Sequence, residues 1–280
     1  MFDTGVRQLR MALSMVSGRR VDPGNLERLV ADARATLAEF GQPGADAQTL
    51  LDGPLTDPAA RQHFATTNLR RTARRLSRTS AFYARRFDSL GLDARHVTLA
   101  ALSEVPVTMK RDLIERAGEF RCHDVGRFLA TRTTGTSGRP AEVWLSRYEL
   151  DLWAALGALA ALLRGDVLPS DTLQVNVSSR ASATVAVDTA SCRLIGAGCR
   201  LLGMLRADEA LDSLCGGEIT LLSTTPSYLG LLLTAARRRG LTGRDFRLRR
   251  IDVGGESSRP ARPRPPAAPS ASRWLTTCSG

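Results

Sequence analysis

The sequence predicts an α/β protein: a helical N-terminal region, then a doubly wound, mostly parallel sheet with helices on both faces. Three observations carry that prediction. Residues 1 to about 100 hold apolar side chains at helical spacing and few strand signals. From Gly165 onward, short apolar runs alternate with helical stretches across short loops. Two Gly-rich segments, at 134–140 and 254–256, fall at the ends of predicted strands, and α/β folds gather ligands at the carboxyl ends of their strands.

Taken in order, residues 25–40 repeat Leu26, Leu29, Val30, Ala33, Leu37 and Phe40 at the spacing of one helix face. Residues 58–76 form a second helix that turns Phe64, Leu69, Ala73 and Leu76 toward a core. Its other face carries Arg70, Arg71, Arg74, Arg75 and Arg78, which reads as a solvated surface; an acidic partner or substrate phosphates are the sharper alternative. Residues 127–131 suit a short strand and residues 141–145 a second, with a Thr/Gly/Ser loop between them. Ser146 and Glu149 make a capping box, and the helix it opens runs to about Arg164 with apolar residues on most sides. Beyond Gly165 the expected strands are 172–177, 200–205, 219–223 and 248–253, and the expected helices 182–195, 208–214 and 226–239. Pro226 sits where a first helical turn favours proline. Between 257 and 280 stand five of the 13 prolines and four arginines with almost no apolar periodicity, the composition of a disordered tail. The expected division is therefore a helical extension over 1–57, a main domain over 58–256 and a tail over 257–280.

Composition narrows the function classes. The formal charge of +11 and pI near 10.7 raise the question of nucleic acid. Lys110 is the only lysine, however, and every other one of the 39 basic residues is arginine. That skew reads as coding bias, so nucleic acid is not the expected partner. Cys122, Cys192, Cys199, Cys215 and Cys278 contain no C-x-x-C pair, which argues against a disulfide framework and a zinc site and fits a reducing cytoplasm. The Cys122–His123 pair makes no thiol-catalysis site, because neighbours on a strand point apart. The apolar run at 152–163 is about half the roughly 20 residues of a membrane span. No membrane partner is expected.

The chemistry concentrates at Thr134, Gly135, Thr136, Ser137, Gly138 and Arg139. Glycines let backbone approach a polyphosphate, N–H groups and hydroxyls donate to its oxygens, and an arginine adds a fixed bidentate charge. Pro140 and the strand after it separate this loop from the nucleotide loop that opens a helix. On composition alone a plain hairpin connection is the favoured reading.

The flanking residues add a resemblance. Thr134, Gly135, Thr136, Ser137, Gly138 and Pro140 resemble the phosphate-binding signature of AMP-forming acyl-CoA synthetases, specifically the phenylacetate–CoA ligase branch. Arg139 stands where that family usually has lysine, and Ser137 replaces a threonine. Phe82, Tyr83 and Phe87 resemble the family's F-Y-x-x-x-[FL] helix; Pro106, Thr108, Lys110, Asp112 and Leu113 its P-x-T-x-K-x-D-L segment. Thr225, Pro226, Ser227 and Tyr228 resemble T-P-S-Y, and Gly254, Gly255 and Glu256 the start of G-[GA]-E-P. The resemblance spans roughly 58–257 and implies the N-terminal two-thirds of an adenylate-forming enzyme, with 58–256 an incomplete adenylation domain.

What it implies is an acid–CoA ligase using ATP, Mg2+ and coenzyme A on a small carboxylic acid. Residues 134–139 would hold the β- and γ-phosphates, Gly254, Gly255 and Glu256 would lie on the adenine side, and Ser227 and Tyr228 would border the acyl pocket. Tyr228 as a core aromatic and Glu256 as a solvated carboxylate remain the plainer alternatives. The stretch 176–190 lacks the aromatic, Gly-rich run of phenylacetate ligases, which argues against an aryl-acetate. The family's aromatic-Gly-x-[TS]-E motif, its ribose aspartate and its adenylation lysine have no counterparts, and Lys110 reads as a solvated position in a first helical turn. A frameshifted tail from about Ser257 is one expectation that follows. Two functions stay open: a ligase completed by another chain, with a homodimer as a further assembly, or a non-catalytic remnant.

Overall fold

The structure is a computed structural model that describes residues 2–17, 19–42, 57–133, 139–178, 181–255 and 276–278. By its contacts the chain divides into one compact unit of residues 1–164 with 180–183 and a second of 165–179 with 184–280.

The first unit is mostly helical. Its elements are α1 (Phe2–Ser17), α2 (Pro23–Phe40), α3 (Pro58–Thr79), α4 (Ala81–Ser89), α5 (Lys110–Glu115), α6 (Ala117–Phe120), the hairpin β1 (Leu129–Arg132) with β2 (Glu142–Leu145), and α7 (Arg147–Arg164). Asp22 caps α2 by accepting from the Gly24 N–H at 3.0 Å, and proline fills the first helical position. The helix packs on α7: Leu26, Leu29 and Val30 are buried, as are Leu150, Ala154, Ala155, Ala158 and Leu162. Alanines at the contact let two backbones approach closely. α2 and α7 thus share one apolar interface. Two details differ from the sequence reading. Phe40 lies off the buried stripe of α2 at 75% exposure, and α7 leaves Trp153 and Leu156 exposed.

The arginine face of α3 is largely exposed, as expected, yet most of its guanidinium groups have partners. Arg70 donates to the Val97 carbonyl, Arg71 to Asn68 and the Ser17 carbonyl, and Arg74 to the Arg95 carbonyl. Arg75 pairs with Asp124. These guanidinium groups tie α3 to the segments beside it, using donors that a fixed planar fork supplies at several angles. Phe82 of α4 stacks on Phe120 with centroids 3.8 Å apart, and Tyr83 meets Phe120 edge-on.

The second unit is the parallel sheet. Its elements are β3 (Thr172–Asn176), α8 (Ser182–Ile195), β4 (Gly198–Leu201), α9 (Ala207–Cys215), β5 (Leu221–Thr224), α10 (Pro226–Arg238), β6 (Arg250–Val253) and β7 (Thr276–Cys278). The strand order is β4-β3-β5-β6-β7, all parallel. Three residues of the expected disordered tail thus pair beside β6; the rest of the tail lies outside the described residues.

Alternation along the strands shows helices on both faces. Ser223 reaches Asp188 of α8, whereas Gln174, two positions from Asn176 on one face, accepts from Ser213 of α9. The α9 and α10 side holds the core of Ala210, Leu211, Leu214, Ile219, Leu222, Tyr228, Leu232 and Ala235. Among the described residues no helix is long and apolar enough to cross a membrane.

Candidate functional site

The two edges of the parallel sheet are built differently. At the amino edge, Asp171 is buried and accepts from the Leu168 N–H at 2.6 Å, the Thr220 hydroxyl at 2.7 Å and Arg249 Nε at 2.9 Å. Burial opposes ionisation of this carboxyl, but the guanidinium and the other donors outweigh it and hold its pKa below the ordinary value. Arg249 also donates to the Gly165 and Asp166 carbonyls. That edge is a closed clamp.

The carboxyl edge is where the predicted residues of this unit meet. Thr224 donates to the Asn176 carbonyl at 3.1 Å, and the Gly254 N–H donates to the Thr224 carbonyl at 3.1 Å. The ends of β3, β5 and β6 are thereby held in line. Thr225 caps α10 by accepting from the Tyr228 N–H at 3.4 Å, with Pro226 in the first turn. The chain leaves β3 toward β4 on one side and later lays β5 on the other, so β3 and β5 flank the switch point where open α/β sheets bind ligands. Ser227 and Tyr228 follow β5, and Gly254 and Gly255 follow β6.

Gly255 takes φ +81°, a left-handed conformation that only glycine adopts without strain. A Cβ at Gly254 or Gly255 would meet no heavy atom within 4 Å. Glu256 lies outside the described residues.

Tyr228 is 3% exposed, and its hydroxyl donates to the Leu205 carbonyl at 2.7 Å. Burial raises its pKa. The ring belongs to the core beneath the edge, the plainer of the two alternatives the sequence left open.

Sequence reasoning missed the polar frame behind the edge. Gln174 and Asn176 are fully buried; Gln174 donates to Asn176 at 2.7 Å and accepts from Ser213 at 2.6 Å, and Asn176 donates to the Gly203 carbonyl at 2.9 Å. This chain fixes the loop after β4 with its polar groups paired. Its only sequence signal was two amides two residues apart in an otherwise apolar strand.

In the first unit, Thr134, Gly135, Thr136, Ser137 and Gly138 lie outside the described residues. Their flanks are defined. Thr133 N–H donates to the Ala141 carbonyl and the Ala141 N–H to the Thr133 hydroxyl, both at 3.0 Å, at the end of an antiparallel pair in which Arg132 faces Glu142. β1 and β2, on either side of the segment, pair antiparallel. Arg139 is exposed and pairs with no carboxylate among the described residues. Ser146 and Glu149 complete the expected capping box: the Ser146 N–H donates to Glu149 at 2.7 Å, and the Glu149 N–H to the Ser146 hydroxyl at 3.2 Å. No group of three or more His, Cys, Asp or Glu suited to a metal ion occurs among the described residues.

Comparison with protein-family models finds no match, and comparison with curated proteins finds none. Solved structures do match. An open conformation of 2-hydroxyisobutyryl-CoA ligase, in complex with 2-HIB-AMP and CoA, aligns with a TM-score of 0.60 and 21% identity over 72% of this chain and 45% of that one. The same ligase in the thioesterification state aligns at 0.59 and 23% identity, over 72% and 44%. The match thus spans less than half the length of the ligase. What it establishes is the fold: this α/β chain folds like part of an adenylate-forming acyl-CoA ligase.

Proposed function

We propose that the protein activates a small carboxylic acid with ATP and transfers the acyl group to coenzyme A. The carboxylate oxygen attacks the α-phosphorus, the bond to the bridging oxygen breaks and pyrophosphate leaves. The thiol of coenzyme A, losing its proton, then attacks the acyl carbon and AMP departs. Residues 134–139 hold the β- and γ-phosphates, where Arg139 meets charge that develops on the leaving group. Gly254, Gly255 and Glu256 border adenine, and Ser227 borders the acyl group, with Tyr228 anchoring the turn beneath it. Mg2+ enters as the complex of the nucleotide.

The observation that carries this reading is a coincidence of motif and position. Segments that resemble adenylate-forming enzymes follow β5 and β6 at the carboxyl edge of the sheet, and the fold is shared with part of a ligase solved with an acyl-adenylate and CoA. The resemblance of residues 82–87, 105–113 and 225–228 favours a phenylacetate–CoA ligase-like branch.

ATP–pyrophosphate exchange with a panel of short hydroxy acids and arylacetates tests the proposal. Acid-dependent exchange is expected, reduced on the order of 10–100-fold by Arg139→Ala at unchanged melting temperature. No exchange with any acid would overturn it for this chain.

A further inference from the structure

Two cysteines seven positions apart in the sequence lie near each other at the outer edge of the sheet. Cys192 lies in the last turn of α8 and Cys199 is the second residue of β4. The connection is tight. Gly196, at φ +88°, closes the helix, and the Gly196 and Ala197 N–H groups both donate to the Cys192 carbonyl, at 2.8 and 2.9 Å. Gly198 then enters the strand against Thr172, so closely that a Cβ there would lie 2.9 Å from the Thr172 hydroxyl. This turn folds the strand back under the helix end. Cys199 is in register with Leu173, on the face of the sheet from which Ser223 reaches Asp188, and the buried Cys192 lies one turn after Asp188, so both side chains face the space between α8 and the sheet.

The two thiols are not equivalent. Cys192 is 3% exposed, while Cys199 is only half-buried on a strand at the sheet edge. The neighbouring Cys192 thiol favours a thiolate on Cys199 and brings its pKa down to about 7, while the nearby Cys199 sulfur and burial push Cys192 up. A reachable, activated sulfur thus sits beside a sheltered one, the arrangement of an attacking and a resolving thiol.

We propose that Cys192 and Cys199 form a redox-active pair that hydrogen peroxide converts to an intramolecular disulfide, stapling the end of α8 to β4. In the first step the Cys199 thiolate attacks one peroxide oxygen, the O–O bond breaks, and hydroxide leaves as water after protonation; Cys199 becomes a sulfenic acid. In the second, the Cys192 sulfur attacks the Cys199 sulfur, the S–O bond breaks, and the hydroxyl leaves as water with the Cys192 proton. Two thiols lose two electrons to one peroxide, and two waters form.

The chain itself supplies the assay. Arg193 lies between the cysteines and Arg200 follows the second, so trypsin separates them unless they are bonded. The full-length protein is treated with hydrogen peroxide, remaining thiols are alkylated, and the unreduced tryptic peptides are weighed. A cross-linked pair of peptides 181–193 and 194–200 is expected, which dithiothreitol separates. In Cys192→Ser, Cys199 should advance to sulfinic acid under the same treatment; in Cys199→Ser, Cys192 should stay reduced. A Cys199 that over-oxidises in the unmodified protein without any cross-link would overturn the proposal, as would pairing of either cysteine with Cys215.

Discussion

Asp188 shows how a single buried group sets the response of the second unit to pH. It lies inside the α8 face of the sheet, where burial, opposed by the Ser223 hydroxyl and aided by the charge of Asp252, raises its pKa from 3.8 to about 6. The folded protein therefore holds this proton more tightly than the unfolded chain does. The stability it contributes is fully present below pH 3.8 and is lost as the pH rises through about 6. Asp188→Asn keeps an oxygen to accept from Ser223 and removes the charge. Urea unfolding should find the variant more stable by on the order of 2 kcal/mol near pH 8, with the gain vanishing near pH 4; a gain equal at both pH values would sink this account. Tyr228→Phe addresses the other buried polar tip. It leaves the Leu205 carbonyl without its donor and should cost about 1–2 kcal/mol, with the KM for acid in the exchange assay unchanged. An altered KM at unchanged stability would instead make Tyr228 part of the acyl pocket. Neither partner was legible beforehand, since Leu205 and Tyr228 lie far apart in sequence and nothing local marks their contact.

At the scale of elements, what could be read depended on whether the signal was local. The α7 start was legible because Ser146 and Glu149 cap each other within one turn, and α8 begins and ends at its expected residues, 182 and 195. Strand bounds were less legible. Parallel strands buried on both faces show no alternation to fix their register, and β4, expected at 200–205, runs over Gly198–Leu201. The cause is Gly198. A glycine that looks like punctuation between elements is in fact the first strand residue, required because Thr172 of β3 leaves no room for a side chain. Gly198→Ala should therefore destabilise the protein by about 1–3 kcal/mol, and Thr172→Ala in the same chain should recover part of the loss. Additive losses in thermal melts of the double variant would exclude the contact as the cause. For the candidate site, Gly254 and Gly255 could be found by their position after a strand, whereas the Gln174–Asn176–Ser213 frame depends on a partner 39 residues away.

Across the molecule, the fold class followed from repeated strand–helix alternation, a signal strong enough to survive errors in individual boundaries. One long-range pairing did not follow. Nothing in residues 1–57 announces a partner, yet the α2 stripe packs against α7, more than a hundred residues later. Charge misleads in the same way. The arginine-rich α3 suggested a free basic face, but several of its guanidinium groups are engaged by backbone carbonyls, which accept hydrogen bonds without cancelling charge. The chain can thus carry a formal +11 while using cations as internal braces.

The strand order has a consequence for synthesis. β3 pairs with β4 through a short connection, but its other side is filled by β5, and β5 in turn by β6. As the chain emerges from the ribosome, the β3–α8–β4 segment can form first, and β3 then presents an open row of N–H and C=O groups until β5 arrives some 50 residues behind it. The buried amides of Gln174 and Asn176 lie on that waiting strand. A strand carrying such groups collapses poorly onto a wrong apolar neighbour, so the polar frame that later steadies the carboxyl edge also guards the nascent sheet against mispairing.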